Sequence, residues 1–203
     1  MEFLNKSKDF EGIEFSKSQK GKDGRYFIAC RKDNEDIYSQ LSKGKLQSID
    51  GTTLEMILSE DDASLVEDCE EHFLAKCKDN KEKWFPGSEG LTDQYLESAF
   101  MSSLKGVKKM KGMQQMKLKM SKNIEVFDSN KEKKEVEDIA EGAKISLIVH
   151  MAGLWFTKTR FGVTWLIRQV KIHEKEKVAN VGVSMFQEED EEEEVDENVF
   201  PDI

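Results

Sequence analysis

The chain has 203 residues, of which 35% are charged and 37% hydrophobic, with a formal net charge of −10. This length suits one sizeable core with appendages and argues against two independent domains. The acidic excess is local, because residues 188–203 hold ten acidic residues and no basic one, which leaves 31 acidic and 31 basic residues elsewhere. The acidic total therefore does not exclude a nucleic-acid partner, since binding depends on local potential.

The cysteine pattern and the N-terminal residues indicate the compartment. Cys30, Cys69 and Cys77 are odd in number and lack CxxC spacing. The first ten residues mix charges, and no apolar run is long enough to span a bilayer. We expect a soluble intracellular protein in a reducing compartment, without disulfides or a zinc site.

The first 58 residues carry strand signals. Residues 1–24 suggest an extended arm with a short strand at Ile13–Phe15. The sequence RYFIAC, residues 25–30, is a stronger strand, and its Tyr26 is a candidate nucleic-acid contact. Residues 37–41 continue or pair with it, and residues 48–51 form a turn.

Two helices are predicted next, as an insertion over about residues 59–104. The first begins at residues 59–62, where acidic side chains favour a helix start, and runs to about Lys81. Apolar residues recur along it at a spacing of four, at Leu65, Cys69, Phe73 and Cys77. The second runs from an N-cap at Thr92 to about Leu104.

A segment without acidic residues, 101–123, follows this insertion. Its lysines are Lys105, Lys108, Lys109, Lys111, Lys117, Lys119 and Lys122. Between residues 116 and 120, apolar residues alternate with Lys117 and Lys119, which predicts a half-exposed strand with one cationic face. The segment could follow a phosphate backbone, with Lys108, Lys109, Lys111, Lys117 and Lys119 as candidate contacts. The alternative is an ordinary solvated face.

Residues 142–173 predict a β-hairpin, with two strands rich in β-branched and aromatic residues around the polar loop 157–160. A four-residue loop pairs Phe156 with Phe161, Leu154 with Val163, Ala152 with Trp165 and His150 with Ile167. This register predicts one face carrying Ile148, Ala152, Leu154, Phe156, Phe161, Val163, Trp165 and Ile167. The opposite face then carries Val149, Met151, Gly153, Trp155, Gly162, Thr164, Leu166 and Arg168. Two unlike faces suggest a core side and a binding side.

Aromatic and basic residues interleave in this hairpin. Flat rings can stack nucleobases and cations can follow phosphates, so the pattern favours single-stranded nucleic acid. The candidate contacts are Trp155, Lys158, Arg160, Phe161, Arg168 and Lys171. The alternative is that Phe156, Phe161 and Trp165 are core residues, whereas Trp155 is favoured as a contact.

The C-terminal residues 188–203 predict a disordered acidic tail with an apolar tip. Its candidate partner-binding residues are Glu191, Glu192, Glu193, Glu194, Phe200 and Ile203. Such a tail can dock on basic partner proteins and compete with nucleic acid for a basic groove. The alternative is a tail that only confers solubility. Before it, residues 178–186 could add an edge strand.

No catalytic motif is recognisable. His72, His150 and His173 lack metal-ligand spacing, and the chain has no GxGxxG, GxxxxGK[ST] or GxSxG sequence. We therefore expect a protein that is not an enzyme and that needs no cofactor or metal.

The order of elements favours a mainly β fold. Strands precede and follow the helical insertion, and the short spacing of the later strands favours antiparallel pairing. We predict a five-stranded antiparallel barrel of OB type over residues 1–187, followed by the tail at 188–203. An α+β sheet packed on helices is the alternative.

The sequence GLWFTKTRFGVTWLIRQVKI, residues 153–172, resembles the C-terminal strand pair of the single-stranded-DNA-binding proteins of large nucleocytoplasmic DNA viruses. These are relatives of the replication single-strand-binding protein of podovirus-type phages. The shared pattern is a Gly-aromatic strand, a basic turn, an aromatic-Gly strand and a closing Gln. It is matched here by residues 153–156, Lys158, residues 161–162, Trp165 and Gln169.

The resemblance implies an OB fold that coats single-stranded DNA during replication, recombination or repair. It also implies that the acidic tail recruits polymerase or helicase-primase, at the site of viral DNA replication in the cytoplasm or nucleus. A homodimer is compatible with it. The sequence departs from the phage pattern at its end, where Phe200 is followed by three more residues instead of closing the chain.

Two other functions compete with this one. The first is a virion structural or protein-interaction module that acts through the tail and binds no nucleic acid. The second is an enzyme with an unrecognised carboxylate site, which would show metal-dependent activity on nucleic acid.

Overall fold

The fold is mainly β in the computed structural model, which describes residues 2–3, 10–22, 24–85, 90–107 and 110–173. The strands are β1 (Glu2–Phe3), β2 (Ile13–Phe15), β3 (Gln19–Lys20), β4 (Tyr26–Lys32), β5 (Ile37–Asp50), β6 (Thr53–Ile57), β7 (Leu104–Gly106), β8 (Gln114–Phe127), β9 (Lys133–Lys134), β10 (Lys144–Phe156) and β11 (Phe161–Ile172). The helices are α1 (Glu60–Asp79), α2 (Lys81–Trp84), α3 (Asp93–Ala99) and a 3-10 turn at Val136–Asp138. Lys108, Lys109, the predicted edge strand at 178–186 and the predicted tail lie outside the described residues.

Five strands of this described part pair in a closed ring, in the order β5, β6, β8, β11, β10 and back to β5. The interior is apolar, and the paired residues Leu54 and Leu118, like Met56 and Met116, are buried. The β8–β11 pair is parallel and the other four are antiparallel. The prediction of a wholly antiparallel arrangement was therefore wrong, because β11 turns back from β10 and lies beside β8, which runs in the same direction.

The hairpin is present, but its predicted register is correct only near the loop. Phe156 pairs with Phe161 and Leu154 with Val163, whereas Met151 pairs with Trp165 and Val149 with Ile167. Ala152 is an extra, unpaired residue, so the predicted Ala152–Trp165 and His150–Ile167 pairs are wrong. The bulge also places Val149 and Met151 inside the core and Ile148 outside it, opposite to the prediction.

The bulge coincides with a change of partner strand. β10 pairs with β5 up to Met151, and from Gly153 onward it pairs with β4. Gly153 has φ +136, a conformation that a side chain disfavours. The end of the hairpin therefore projects beyond the ring and is covered on one edge by β4.

Helix α1 begins where the sequence predicts. Ser59 is its N-cap and accepts a hydrogen bond from the Asp62 backbone N–H, and Val66, Cys69 and Phe73 are buried on its inner face. The helix ends at Asp79, two residues before the predicted end, since Asn80 forms its C-cap.

Helix α3 begins after the predicted N-cap, Thr92, but ends at Ala99 instead of about Leu104. The next residues join the sheet, because the Met101 N–H donates to the Phe161 carbonyl and Leu104 pairs with Met116 in β7. Tertiary pairing thus ends this helix.

Replacing Ser59 with alanine is expected to lower the free energy of unfolding by about 1 kcal/mol, within the range of roughly 0.5–2 kcal/mol for lost N-caps. Ser59 also donates to a buried carboxylate oxygen of Asp62, at 2.8 Å, and the same oxygen accepts from the Ser42 N–H. Urea denaturation measures the change. Ser64→Ala, on the exposed side of α1, is the control and should be neutral or slightly stabilising. Equal effects of the two substitutions would contradict the capping role.

Candidate functional site

The outward side of the hairpin carries Trp155. Its strand partners are Gly162 on β11 and Phe27 on β4, so all three lie on the same side of the sheet. A Cβ added to Gly162 would lie 3.3 Å from the indole Nε1 and 2.7 Å from the Met101 carbonyl oxygen. The indole therefore lies over Gly162, at a position where the side chain of any other residue would crowd it. The indole remains partly exposed.

The hairpin loop that follows this tryptophan carries two cations. Thr157 closes the loop, because its N–H donates to the Arg160 carbonyl at 2.8 Å and its Oγ1 accepts from the Arg160 N–H at 3.1 Å. Lys158 and Arg160 are exposed. The Arg160 guanidinium donates to the Met101 Sδ at 3.4 Å, so it lies on the outward side with the indole.

A lysine stripe on β8 continues the same outward face. Lys119 is the strand neighbour of Leu166 on β11 and of Thr53 on β6, and Lys117 pairs with Glu55. Both lysines are exposed, whereas Leu118 between them is buried, as the alternation predicted. We call the surface formed by Trp155, Lys158, Arg160, Lys117 and Lys119 the outer face.

The other predicted contacts among the described residues are not among these five. Lys111 is exposed in the turn between β7 and β8. Lys171 pairs with Ser146 on β10, nine residues from Gly162 along β11 and hence about 30 Å from the loop. Arg168 is an unpaired, half-buried bulge residue. Tyr26 pairs with Phe156 and thus lies on the opposite side of the sheet from Trp155.

Phe161 is not available for contact, which corrects the prediction. Its ring is 1% exposed and packs in an aromatic cluster under the loop. Phe156 stacks on it at 5.6 Å, and Phe85 and Phe100 meet it edge-on at 5.5 Å and 5.4 Å. This cluster fixes the loop to the segments that end α2 and α3, as the core alternative for Phe156 and Phe161 anticipated.

Sequence reasoning missed two residues that neighbour the outer face. Phe27 neighbours Tyr26 in the RYFIAC strand, and alternation alone would have shown that the two rings face opposite sides. Met101, which is 37% exposed and contacts Arg160, had no recognisable signal because its position depends on the early end of α3.

His150, which pairs with Leu166 beside Lys119, adds little positive charge near the outer face at neutral pH. His150 stacks on Tyr38 at 5.2 Å, and burial lowers its pKa below the ordinary value, against the opposing attraction of Asp36. Nearby Arg168 and Arg31 lower the pKa further. The positive potential therefore comes from lysine and arginine.

The described residues contain no group of three or more His, Cys, Asp or Glu side chains arranged to hold a metal ion. Burial raises the pKa of the Cys30 and Cys77 thiols to about 12 and also raises that of Cys69. These thiols are thus protonated and unsuited to bind metal as thiolates. Within the described segments, no helix has both the length and the apolar character needed to cross a membrane.

The comparisons with known proteins give one family and several structures. The model of a family described as "Family of unknown function (DUF5871)" matches residues 42–184. No curated protein matches the sequence.

Similar solved structures include proteins of two bacteriophages. A C-terminally truncated single-stranded DNA-binding protein from bacteriophage Enc34 is 12% identical, with a TM-score of 0.47 over 82% of this chain and 98% of that one. The Enc34 protein in complex with ssDNA gives the same values. The single-stranded DNA-binding protein gp2.5 of bacteriophage T7 is 14% identical, with a TM-score of 0.47 over 72% of this chain and 98% of that one.

Proposed function

The chain belongs to the family of unknown function DUF5871, and for this member we propose that it binds and coats single-stranded DNA, largely independently of sequence and without catalysing a reaction. The outer face is the proposed binding surface. The observation that carries the proposal is the Trp155 indole, held across Gly162 with Arg160 beside it. An aromatic ring flanked by cations is suited to stack a base and neutralise the adjoining phosphate.

The strand order supports the same surface. We propose that the ring is a barrel of OB type, a fold in which the second and third strands and the loops 1–2 and 4–5 bind oligonucleotides. In this chain those strands are β6 and β8, and those loops are residues 51–52 and 157–160. Lys117 and Lys119 lie between the two loops, because the Met120 N–H donates to the Thr52 carbonyl at one end of this segment. At the other end the parallel register of β8 and β11, in which Lys119 lies opposite Leu166, brings β8 toward residues 157–160.

The finer parts of the proposal concern partners and process. We propose that residues 1–187 form the binding domain and that the acidic residues 188–203 compete for the DNA surface and recruit replication proteins such as polymerase or helicase-primase. The proposed tail contacts are Glu191, Glu192, Glu193, Glu194, Phe200 and Ile203. The proposed setting is viral DNA replication, recombination or repair, as in large nucleocytoplasmic DNA viruses, and a homodimer is compatible with it.

The first test is a fluorescence-anisotropy titration of oligo-dT with the full chain and with a truncation ending at Gln187, each at low and moderate salt. Binding by both, with the truncation binding more tightly, supports a DNA surface for which the tail competes. Absence of binding by both, even at low salt, contradicts the proposal and favours a protein-interaction module.

Replacing Lys117 and Lys119 with glutamine is expected to reduce the salt dependence of this binding. Each lysine that neutralises a phosphate of single-stranded DNA contributes about 0.7 to the slope of log affinity against log salt, so the double variant should lose about 1.4. Affinity should fall equally for different sequences. The matched control is Lys43→Gln with Lys133→Gln, two exposed lysines outside the outer face. An equal loss of slope in both double variants would show that the salt dependence follows the net charge of the protein alone. That result would contradict phosphate contacts by Lys117 and Lys119.

A further inference from the structure

A pocket of about 400 Å³ lies on the inner side of the hairpin end, behind the sheet from Trp155. Its walls include Tyr26, Phe85, Tyr95 and Phe156. Phe85 meets Phe156 edge-on at 4.9 Å and 87°, so these two rings pack against each other in the wall. Tyr95 on α3 is 43% exposed and is not part of the buried core. Its ring is therefore open to solvent at the pocket.

The same pocket also has cationic lining. Lys20, Lys158 and Arg160 contribute to it, and the Lys20 Nζ lies 5.8 Å from the centre of the Tyr26 ring. Among the described residues, no carboxylate lies within the 4.0 Å ion-pair distance of these three cations. Rings in the wall and cations beside them match a base attached to a phosphate.

The hairpin loop joins this pocket to the outer face. Trp155 and Phe156 are consecutive residues whose side chains lie on opposite sides of the sheet, and residues 157–160 line the pocket while Arg160 also contacts Met101 on the outward side. A strand on the outer face therefore has to pass only around a four-residue loop to reach the pocket.

We propose that the pocket is a nucleobase subsite, in which one base of the bound strand stacks on Tyr95 and Tyr26 while its phosphate contacts Lys158 or Lys20. This inference rests on the proposed function, since it requires single-stranded DNA on the outer face. A volume of about 400 Å³ is within the usual range for small-ligand pockets. The positive lining favours a nucleotide over an uncharged apolar ligand.

The test combines oligo-dT of increasing length with photo-crosslinking by 5-iodouracil placed at successive positions. Single OB domains cover about 4–16 nucleotides, so oligomers near the lower limit should occupy the outer face alone and those near the upper limit should also reach the pocket. Tyr95→Ala should weaken binding about 5- to 10-fold for the long oligomers, because Tyr26 still stacks the base, and should leave the short ones unchanged. Crosslinks should map to Tyr95 or Tyr26 for one position of the long oligomer.

Gln94→Ala, an exposed neighbour on the same helix that does not line the pocket, is the matched control, and thermal unfolding checks that Tyr95→Ala folds normally. Lys20→Ala, at an exposed lining cation that is not part of the outer face, should reproduce the length-dependent loss. If wild-type protein binds no oligomer of any length, the proposed function itself fails. If wild-type protein binds but Tyr95→Ala matches the control and no crosslink reaches the pocket, only the subsite is overturned. Tyr95-dependent binding of a synthetic peptide of residues 188–203, with DNA binding unaffected, also overturns it and makes the pocket a peptide site.

Discussion

Trp155→Ala is expected to weaken binding of single-stranded DNA about 5- to 150-fold, since a stacked base contributes roughly 1–3 kcal/mol through its aromatic partner. The loss should appear at low and moderate salt alike, because stacking releases no counterions. Fluorescence-anisotropy titration with oligo-dT measures it. The effect should exceed that of Tyr95→Ala, as Trp155 supplies the larger ring.

The control for this substitution is Trp155→Phe, which retains a flat ring opposite Gly162 and should recover most of the affinity. Trp155 is only partly buried, so the alanine variant should fold, and its circular dichroism and melting temperature should confirm this. Normal binding in a folded Trp155→Ala variant would falsify the assignment of this ring to the binding surface.

Gly153→Ala is expected to lower the free energy of unfolding by roughly 2–5 kcal/mol, combining backbone strain with overpacking. The residue has φ +136, and a Cβ there would lie 2.9 Å from the Ala29 Cα and closer still to the Ile28 carbonyl oxygen. Both obstructing atoms belong to the backbone of β4, which cannot yield as a flexible side chain could. The substitution should therefore separate β4 from β10.

The matched control for Gly153 is Gly106→Ala on β7, because Gly106 has no atom within 4 Å of an added Cβ and no positive φ. Denaturant unfolding of the two variants should show a large change for Gly153 and a small one for Gly106. Amide hydrogen exchange should also show faster exchange in β4 of the Gly153 variant, since its hydrogen bonds to β10 are lost. Similar stabilities of the two variants would contradict the close approach of β4 and β10.

The aromatic residues at the end of the hairpin lie on opposite sides of the sheet and therefore have different roles. Phe156 and Phe161 form a stacked pair inside the aromatic cluster, while Trp155 and Gly162, one residue along each strand, form the outward pair. A substitution at Phe161 would therefore affect stability first, whereas a substitution at Trp155 should affect binding first. Measuring both properties for each variant separates core residues from contact residues.

The sequence by itself determined the elements whose causes are local. The N-cap Thr92 was identifiable because a hydroxyl side chain before a polar turn satisfies free helix N–H groups, and the start of α1 was identifiable because acidic side chains favour the first turn of a helix. The alternation of Lys117 and Lys119 with buried Leu118 was identifiable because successive strand residues face opposite sides. The hairpin loop and its two nearest residue pairs followed from loop length alone.

Only the tertiary structure decided the features that depend on distant partners. The bulge at Ala152 lies where the pairing partner of β10 changes from β5 to β4. No sequence pattern within the hairpin predicts that change of partner. Helix α3 ends at Ala99 because Met101 pairs with Phe161, sixty residues away in sequence. Phe161 is buried for the same reason, since Phe85 and Phe100 come from the helical insertion to cover it. Local sequence specifies strand and turn, but which side of a strand is covered depends on the elements that pack against it.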